Sequence, residues 1–142
     1  MRALLDVNVL LALFDPEHAH HASARSWWVA HRDDGWASCP LTQNGFVRIL
    51  SNVRYPRPLA VGDAISVLQA QTSLPDHAFW PDEISLLDTA VFEHDRILGP
   101  KQLTDVYLLA LAVKHGGRFA TFDRGISVAA VRDAAEPNVV ML

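Results

Sequence analysis

The chain has 142 residues, of which 50% are hydrophobic and 20% are charged, with a formal net charge of -4 at pH 7. This length and composition predict one globular domain spanning residues 1–142 and exclude a disordered chain. The negative net charge excludes a protein that binds nucleic acid through a basic surface over the whole molecule. Any contact with RNA or DNA must therefore be local, metal-mediated or shared with a partner.

Cysteine content and hydropathy bear on the cellular compartment. Cys39 is the single cysteine, so no intrachain disulfide can form, which fits the reducing cytosol and a cytoplasmic protein. No apolar run approaches the roughly 20 residues of a membrane span. The N-terminus lacks the basic flank and long apolar core of a signal peptide. We therefore expect no association with a membrane.

The first fourteen residues introduce the elements around which the chain is organised. The apolar run Ala3–Leu5 fits a strand buried on both faces of a parallel sheet, and Asp6 would stand at its carboxyl end. Ligands bind at that edge in open α/β sheets. Asn8 is a candidate cap for the helix that follows, which contains Val9–Phe14.

A second helix is predicted from Glu17 to His31, after the break at Asp15-Pro16. Mostly small residues recur along it at helical spacing and form one stripe: Ala19, Ala22, Ser23, Ser26 and Trp27. Three histidines near its start are possible metal ligands, but only the first and third share a helix face, which favours an ordinary polar helix start: His18, His20 and His21.

The middle of the chain predicts a strand at Trp36–Cys39, a helix at Pro40–Leu50 and a helix at Val61–Thr72. Gly45 inside the first of these helices would allow close packing. The residues expected to face inward are Leu41, Phe46, Ile49 and Leu50 in one helix and Ala64, Ile65 and Leu68 in the other. Three arginines in and before the intervening loop form either a small phosphate-binding patch or ordinary solvated charge: Arg48, Arg54 and Arg57.

The last part of the chain alternates strands and helices. We predict a short strand within Ser73–Asp88 and a short helix near Thr89–Glu93. A helix starting at Leu103 would end at Gly116-Gly117. Two strands complete the prediction, one from Arg118 to Phe122 and one from Asn138 to Met141. Alternation without repeats or linkers predicts a single α/β domain with a central parallel sheet flanked by helices.

Three aspartates stand at element ends: Asp6 and Asp123 after strands, and Asp105 at a helix start. Such positions can converge at one sheet edge, where carboxylates repel one another unless a cation lies between them. Hard oxygen ligands suit Mg²⁺ or Mn²⁺, which activates water and stabilises phosphate in an in-line displacement. Because turns and caps also use aspartate, spacing alone leaves three unrelated caps as an equal alternative.

Three sequence blocks resemble the motifs of the PIN domain, and most closely those of VapC toxins: Leu4–Asn8, Leu103–Ala112 and Ala120–Gly125. The resemblance extends over nearly the whole chain. It implies a parallel sheet and a metal-dependent ribonuclease in which Asp6, Asp105 and Asp123 hold Mg²⁺ or Mn²⁺. It also implies that Asn8 and Thr121 are polar residues near the site.

The resemblance further implies the toxin of a toxin–antitoxin pair, in which metal-bound water attacks a phosphodiester of exposed, single-stranded RNA. The expected target is tRNA or ribosomal RNA, with inhibition of translation as the result. The expected partners are a second copy of the chain in a homodimer and a VapB-like antitoxin that covers the site.

The chain departs from the family pattern at one position. The family usually carries another acid early in the third helix, and Gln43 aligns with it here. An amide brings no charge, so Gln43→Glu is expected to tighten metal binding. The alternatives are that Gln43 contacts RNA or orients a metal-bound water, or that it lies outside the site.

Two other functions compete with the ribonuclease. Gln43 and the acidic net charge favour a catalytically weak PIN-like module that binds RNA or a partner. A small phosphatase or nucleotide-binding α/β protein is disfavoured, because no glycine-rich phosphate loop follows the first strand.

Overall fold

Five short strands form one all-parallel sheet in the computed structural model, which describes residues 1–142. In chain order the strands are β1 (Ala3–Leu5), β2 (Trp36–Ser38), β3 (His77–Phe79), β4 (Arg118–Thr121) and β5 (Val139–Met141). Their order across the sheet is β3-β2-β1-β4-β5, so β1 pairs with β2 on one side and with β4 on the other. The predicted α/β class with a central parallel sheet is confirmed.

Five α-helices cover the two faces of the sheet: α1 (Val7–Phe14), α2 (His21–His31), α3 (Pro40–Leu50), α4 (Val61–Thr72) and α5 (Leu103–Lys114). Successive residues of β1 point to opposite faces, as the period of a strand requires. Leu4 packs into a core cluster with α5, whereas Ala3 and Leu5 pack into a second cluster with α1, α3 and α4. The two clusters together enclose the sheet.

The order of the strands creates a switch point between β1 and β4. The chain builds outward from β1 to β2 and β3, then returns to the other side of β1 to build β4 and β5. In sheets of this kind the connections after the two central strands diverge and leave a crevice at the carboxyl edge. Asp6 and Asp123 follow these two strands, so the topology brings both to this crevice.

Several predicted elements need correction. Helix α2 begins at His21, not at Glu17. The Asp15 carboxylate accepts the Glu17 N–H at 3.0 Å, and the His18 ring accepts the His20 N–H at 3.0 Å. These local side-chain bonds hold the segment in turns, in competition with helix formation. Helix α1 begins at Val7, so Asp6 is its N-cap in place of the expected Asn8.

The region before α5 also differs from the elements that the sequence predicts. No helix forms at Thr89–Glu93, because the Asp88 carboxylate accepts the Ala90 N–H and Phe92 forms a bridge with Val131. The predicted strands at Trp36–Cys39 and Arg118–Phe122 each end one residue earlier, at Ser38 and Thr121.

The predicted burial holds for most of the inward positions but fails at two. Leu41 and Ile65 are exposed, at 39% and 41%. In α2 only Ala24 is buried, and Trp27 is partly buried against the core. Helix α2 packs on α1 at the margin of the domain, so most of its surface has no neighbour. No helix is both long enough and apolar enough to span a bilayer.

Candidate active site

Three carboxylates meet at the carboxyl edge of the sheet, beside the switch point. Asp6 directly follows β1, Asp123 follows β4 by two residues, and Asp105 lies in the first turn of α5. Partial burial and then the charges of Asp6 and Asp123 raise the pKa of Asp105 from 3.8 to about 7. A shift with these causes requires that the three side chains be close. The structure therefore brings the three predicted aspartates together.

Asp6 is the most buried member of the group, with 7% of its surface exposed. The Val7 N–H donates to its carboxylate at 2.7 Å, and the Thr121 hydroxyl donates to Oδ2 at 2.9 Å. Burial raises the pKa of Asp6 and outweighs these two hydrogen bonds, which lower it, and the charge of Asp123 raises it further. The carboxylate is therefore held in one orientation at a cost in charge desolvation.

Thr121 connects the two strand ends. Its buried hydroxyl donates to Asp6 and accepts the Asp123 N–H at 3.0 Å. The Asp123 carboxylate accepts the Gly125 N–H at 2.7 Å, which fixes the turn after β4. Thr121 thus lies in the site, as the family resemblance implied, and it orients both neighbouring aspartates.

The carboxylate oxygens of the three aspartates are suitable ligands for a hard divalent cation, but they do not form a closed three-ligand chelate. No three His, Cys, Asp or Glu side chains converge on a common metal position. Asp6 turns its oxygens toward Val7 and Thr121, and Asp123 turns one oxygen toward Gly125, so these atoms face donors of the chain. Mg²⁺ commonly takes only one or two carboxylates and keeps several waters, and the mutual repulsion at Asp105 is what a cation would relieve. The residues fit a metal bound in that way.

Asn8 lies in the first turn of α1, two residues beyond Asp6, and is exposed. Its side chain forms no hydrogen bond with the rest of the chain, so the structure does not join it to the aspartates. It stays a predicted site residue by its position on the helix that Asp6 caps.

Gln43 is not joined to the three aspartates. Its amide donates to the Ser38 hydroxyl at 2.9 Å, and this hydroxyl is 2.8 Å from the His77 ring. The Gln43 side chain lines a groove of about 520 Å³ between α3 and α4, together with Ile65 and Leu68. Ser38 ends β2 at the carboxyl edge of the sheet, and the role of Gln43 in the site stays a prediction.

Gly45 is the α3 residue that approaches the site. A Cβ atom at this position would come within 2.6 Å of the Val7 side chain, which belongs to the first turn of α1. The glycine therefore lets α3 pack closely against the helix that Asp6 caps. Its presence inside a helix, at a cost of about 1 kcal/mol relative to alanine, was the sequence signal for this contact.

The three predicted arginines are exposed, and one of them is paired with a carboxylate. Arg57 is paired with Glu17 and has a left-handed φ of 58°, and Arg48 and Arg54 are exposed on α3 and on the following loop. The Tyr55 hydroxyl donates to Asp15 at 2.6 Å and so fixes this loop beside the turn that precedes α2.

Sequence reasoning missed one neighbour of the site. The His20 ring lies 5.0 Å from the Phe122 ring, measured between centroids, and Phe122 directly precedes Asp123. The available signals were the aromatic residue beside Asp123 and the three histidines of one short segment, but nothing in the sequence spacing joined them.

Comparison with known proteins gives consistent matches. The PIN domain family matches residues 3–132. Ribonuclease VapC44 of Mycobacterium tuberculosis is 51% identical over 142 residues, with 100% of both chains covered. Ribonuclease VapC39 of the same organism is 43% identical over 142 residues, with 99% of this chain and 98% of the relative covered.

Two solved structures share the fold. The crystal structure of VapC20 from Mycobacterium tuberculosis, described as a Sarcin-Ricin loop cleaving toxin, aligns with a TM-score of 0.65 at 15% identity and covers 93% of this chain and 98% of that one. VapBC2 from Rickettsia felis, bound to a DNA fragment from its promoter, aligns with a TM-score of 0.62 at 12% identity and covers 100% and 98%. At these identities the structures support the fold alone.

Proposed function

This chain belongs to the PIN domain family and to its VapC toxin ribonucleases, and from this premise we propose that it cleaves RNA with the help of Mg²⁺ or Mn²⁺. The observation that carries the proposal is the group of three aspartates at the β1–β4 switch point, where Thr121 joins Asp6 to Asp123 and where burial, followed by the charges of Asp6 and Asp123, raises the pKa of Asp105.

In this proposal the chain supplies a negatively charged site whose carboxylates are held in fixed orientations. Asp6, Asp105 and Asp123 would hold the cation, directly or through water. A cation bound there supplies activated water and charge stabilisation for phosphodiester cleavage. The Thr121 hydroxyl holds the Asp6 carboxylate and the Asp123 backbone N–H, and the Gly125 N–H holds the Asp123 carboxylate. The Val7 N–H fixes Asp6 from the opposite side, so Asp6 loses little orientational freedom on binding.

The proposed substrate is an exposed single-stranded segment of tRNA or ribosomal RNA, whose cleavage would inhibit translation. The solved structure of VapC20, a Sarcin-Ricin loop cleaving toxin, supports a ribosomal target for a protein of this fold. Single-stranded loops are the RNA segments in which the backbone is most accessible.

The proposed partners are a VapB-like antitoxin and a second copy of the chain, in the cytoplasm. The VapBC2 complex from Rickettsia felis supports an antitoxin partner, because its toxin shares this fold. An antitoxin that covers the aspartates would explain how the producing cell tolerates the nuclease.

A catalytically weak PIN-like module that binds RNA or a partner is the second candidate. The absence of three side chains that converge on one metal position favours it. It predicts RNA binding without turnover, whereas the nuclease predicts both.

Mapping of new RNA 5′ ends tests the proposal in bacteria that express the chain with or without the adjacent open reading frame. We expect new ends and arrested growth only without the neighbouring gene.

Asp6→Asn should reduce cleavage by on the order of 10²-fold or more, because the metal contributes several kcal/mol to such reactions. Asp63→Asn is a matched control, since Asp63 is an exposed aspartate in the first turn of α4. Equal cleavage by the Asp6 variant and the wild type would contradict the proposed site.

A further inference from the structure

His20 and Phe122 form an aromatic pair, and Phe122 directly precedes Asp123 in the chain. The His20 and Phe122 rings lie 5.0 Å apart and are tilted by 33°. Phe122 stands between Thr121 and Asp123 and is partly buried in the core cluster under α1, while His20 is exposed. An open ring face therefore lies beside the turn that presents Asp123.

The His20 ring has one other aromatic neighbour, the His18 ring, at 5.8 Å between centroids. The neighbouring histidines are engaged, since the His18 ring accepts the His20 N–H and the His21 ring contacts the Ala12 carbonyl at 2.7 Å. The His20 ring nitrogens have no hydrogen-bond partner in the chain. The His20 ring packs against the rings of Phe122 and His18, and the residue stays exposed to solvent.

Nearby charges argue for a contact with a base in preference to a phosphate. Asp15 lies in the turns that precede α2, and Asp123 directly follows Phe122. A phosphate group without a bound cation would be repelled by these carboxylates. Stacking of a base on an aromatic ring does not need a positive charge, and single-stranded RNA is commonly recognised in this way.

We propose that His20 is the stacking platform for the base of a nucleotide next to the scissile phosphate, with Phe122 supporting the ring from behind. The inference rests on the proposed ribonuclease function and adds a binding residue to it. Because every base has a π-face, this contact would position the strand without selecting its sequence.

Binding of a short single-stranded RNA that carries one 2-aminopurine tests the contact. The label is placed beside the cleavage site found by end mapping, and Asp6→Asn is the background so that the RNA stays intact. We expect 2-aminopurine fluorescence to be quenched on binding. His20→Ala should remove the quenching and raise Kd about tenfold, as loss of one stacked base does. His20→Phe should keep both, and His20→Gln should behave like His20→Ala.

His31→Ala is the matched control, because His31 also stacks on an aromatic residue, Trp27, in a pair that contacts Arg118 at the opposite edge of the sheet. We expect its Kd and quenching to equal those of the background protein. Unchanged binding in His20→Ala, or equal weakening by alanine and phenylalanine at position 20, would overturn the inference. The proposed function fails separately, if cleavage by the otherwise unaltered chain does not depend on Asp6.

Discussion

At the scale of single residues, the central fact is that three carboxylates share a partly buried edge. Burial and then the charges of the other two raise the pKa of Asp105, while Asp6 receives compensating hydrogen bonds from Thr121 and Val7. Asp105 is the member whose charge is least compensated. It therefore couples the stability of the fold to pH and to the presence of a cation.

We expect Asp105→Asn to stabilise the metal-free protein above neutral pH. The pKa of Asp105 is raised in the folded state, so its ionisation opposes folding as the pH rises from about 4 to about 7. The gain in melting temperature should be full at pH 8 and vanish near pH 4. Thermal denaturation in chelator measures it, with Asp63→Asn as the control. Mg²⁺ should stabilise the wild type more than the variant, and a gain independent of pH would contradict the assignment.

We expect Gln43→Glu to leave Mg²⁺ affinity and cleavage unchanged. The sequence alone predicted tighter metal binding, but the Gln43 amide donates to Ser38 and faces the groove between α3 and α4. Loss of this donor should lower the free energy of unfolding by about 1 kcal/mol. Calorimetric titration with Mg²⁺ and urea denaturation measure the two effects. Tighter Mg²⁺ binding by the variant would contradict this expectation and show that position 43 belongs to the metal site.

At the scale of elements, the structure separates what periodicity can predict from what it cannot. The bounds of α3 and α4 follow from their apolar spacing, and both helices form as predicted. The start of α2 does not follow, because Asp15 and His18 bind nearby backbone N–H groups in ways that no periodicity records. The three aspartates were predictable because strand and helix ends fix their place. The hydrogen bond from the Gln43 amide to the Ser38 hydroxyl could not be predicted, because it joins two elements and leaves no trace in the helical periodicity.

We expect Phe46→Ala to lower the free energy of unfolding by about 3–5 kcal/mol, because the ring is fully buried and its loss leaves a cavity. Trp27→Ala should cost about 2 kcal/mol or less, since Trp27 is only partly buried and its indole N–H has no partner. Urea denaturation gives both values. Each folded variant should cleave RNA like the wild type, and a loss of cleavage without a loss of stability would show a role in the chemistry.

We expect Gly45→Ala to lower both stability and cleavage. Alanine would favour the helix by about 1 kcal/mol, but its Cβ would meet the Val7 side chain at 2.6 Å and displace the first turn of α1. That turn holds the N–H that binds Asp6. Adding Val7→Ala should restore both properties, because it removes the colliding methyl groups. Failure of this second change to restore cleavage, measured beside the single Val7→Ala variant, would rule out the packing explanation.

At the scale of the whole molecule, sheet topology and charge act together. The strand order changes direction between β1 and β4, which come from the N-terminal and C-terminal parts of the chain. The crevice at this switch point is lined by carboxylates. The chain as a whole is acidic, with several of its arginines paired to carboxylates, among them Arg57, Arg118 and Arg132. Attraction of RNA by charge alone is therefore weak. The proposed function accordingly relies on a bound cation and on the proposed stacking contact of His20.

The pairing of β1 with β4 also has a consequence during synthesis of the protein. The hydrogen bond from Thr121 to Asp6 joins residues 115 positions apart, and Asp123 lies still further along the chain. A polypeptide still emerging from the ribosome and ending before residue 105 contains only one of the three aspartates. Such a nascent chain has no assembled centre, so the ribosome that makes the protein is exposed to its activity only once translation is nearly complete.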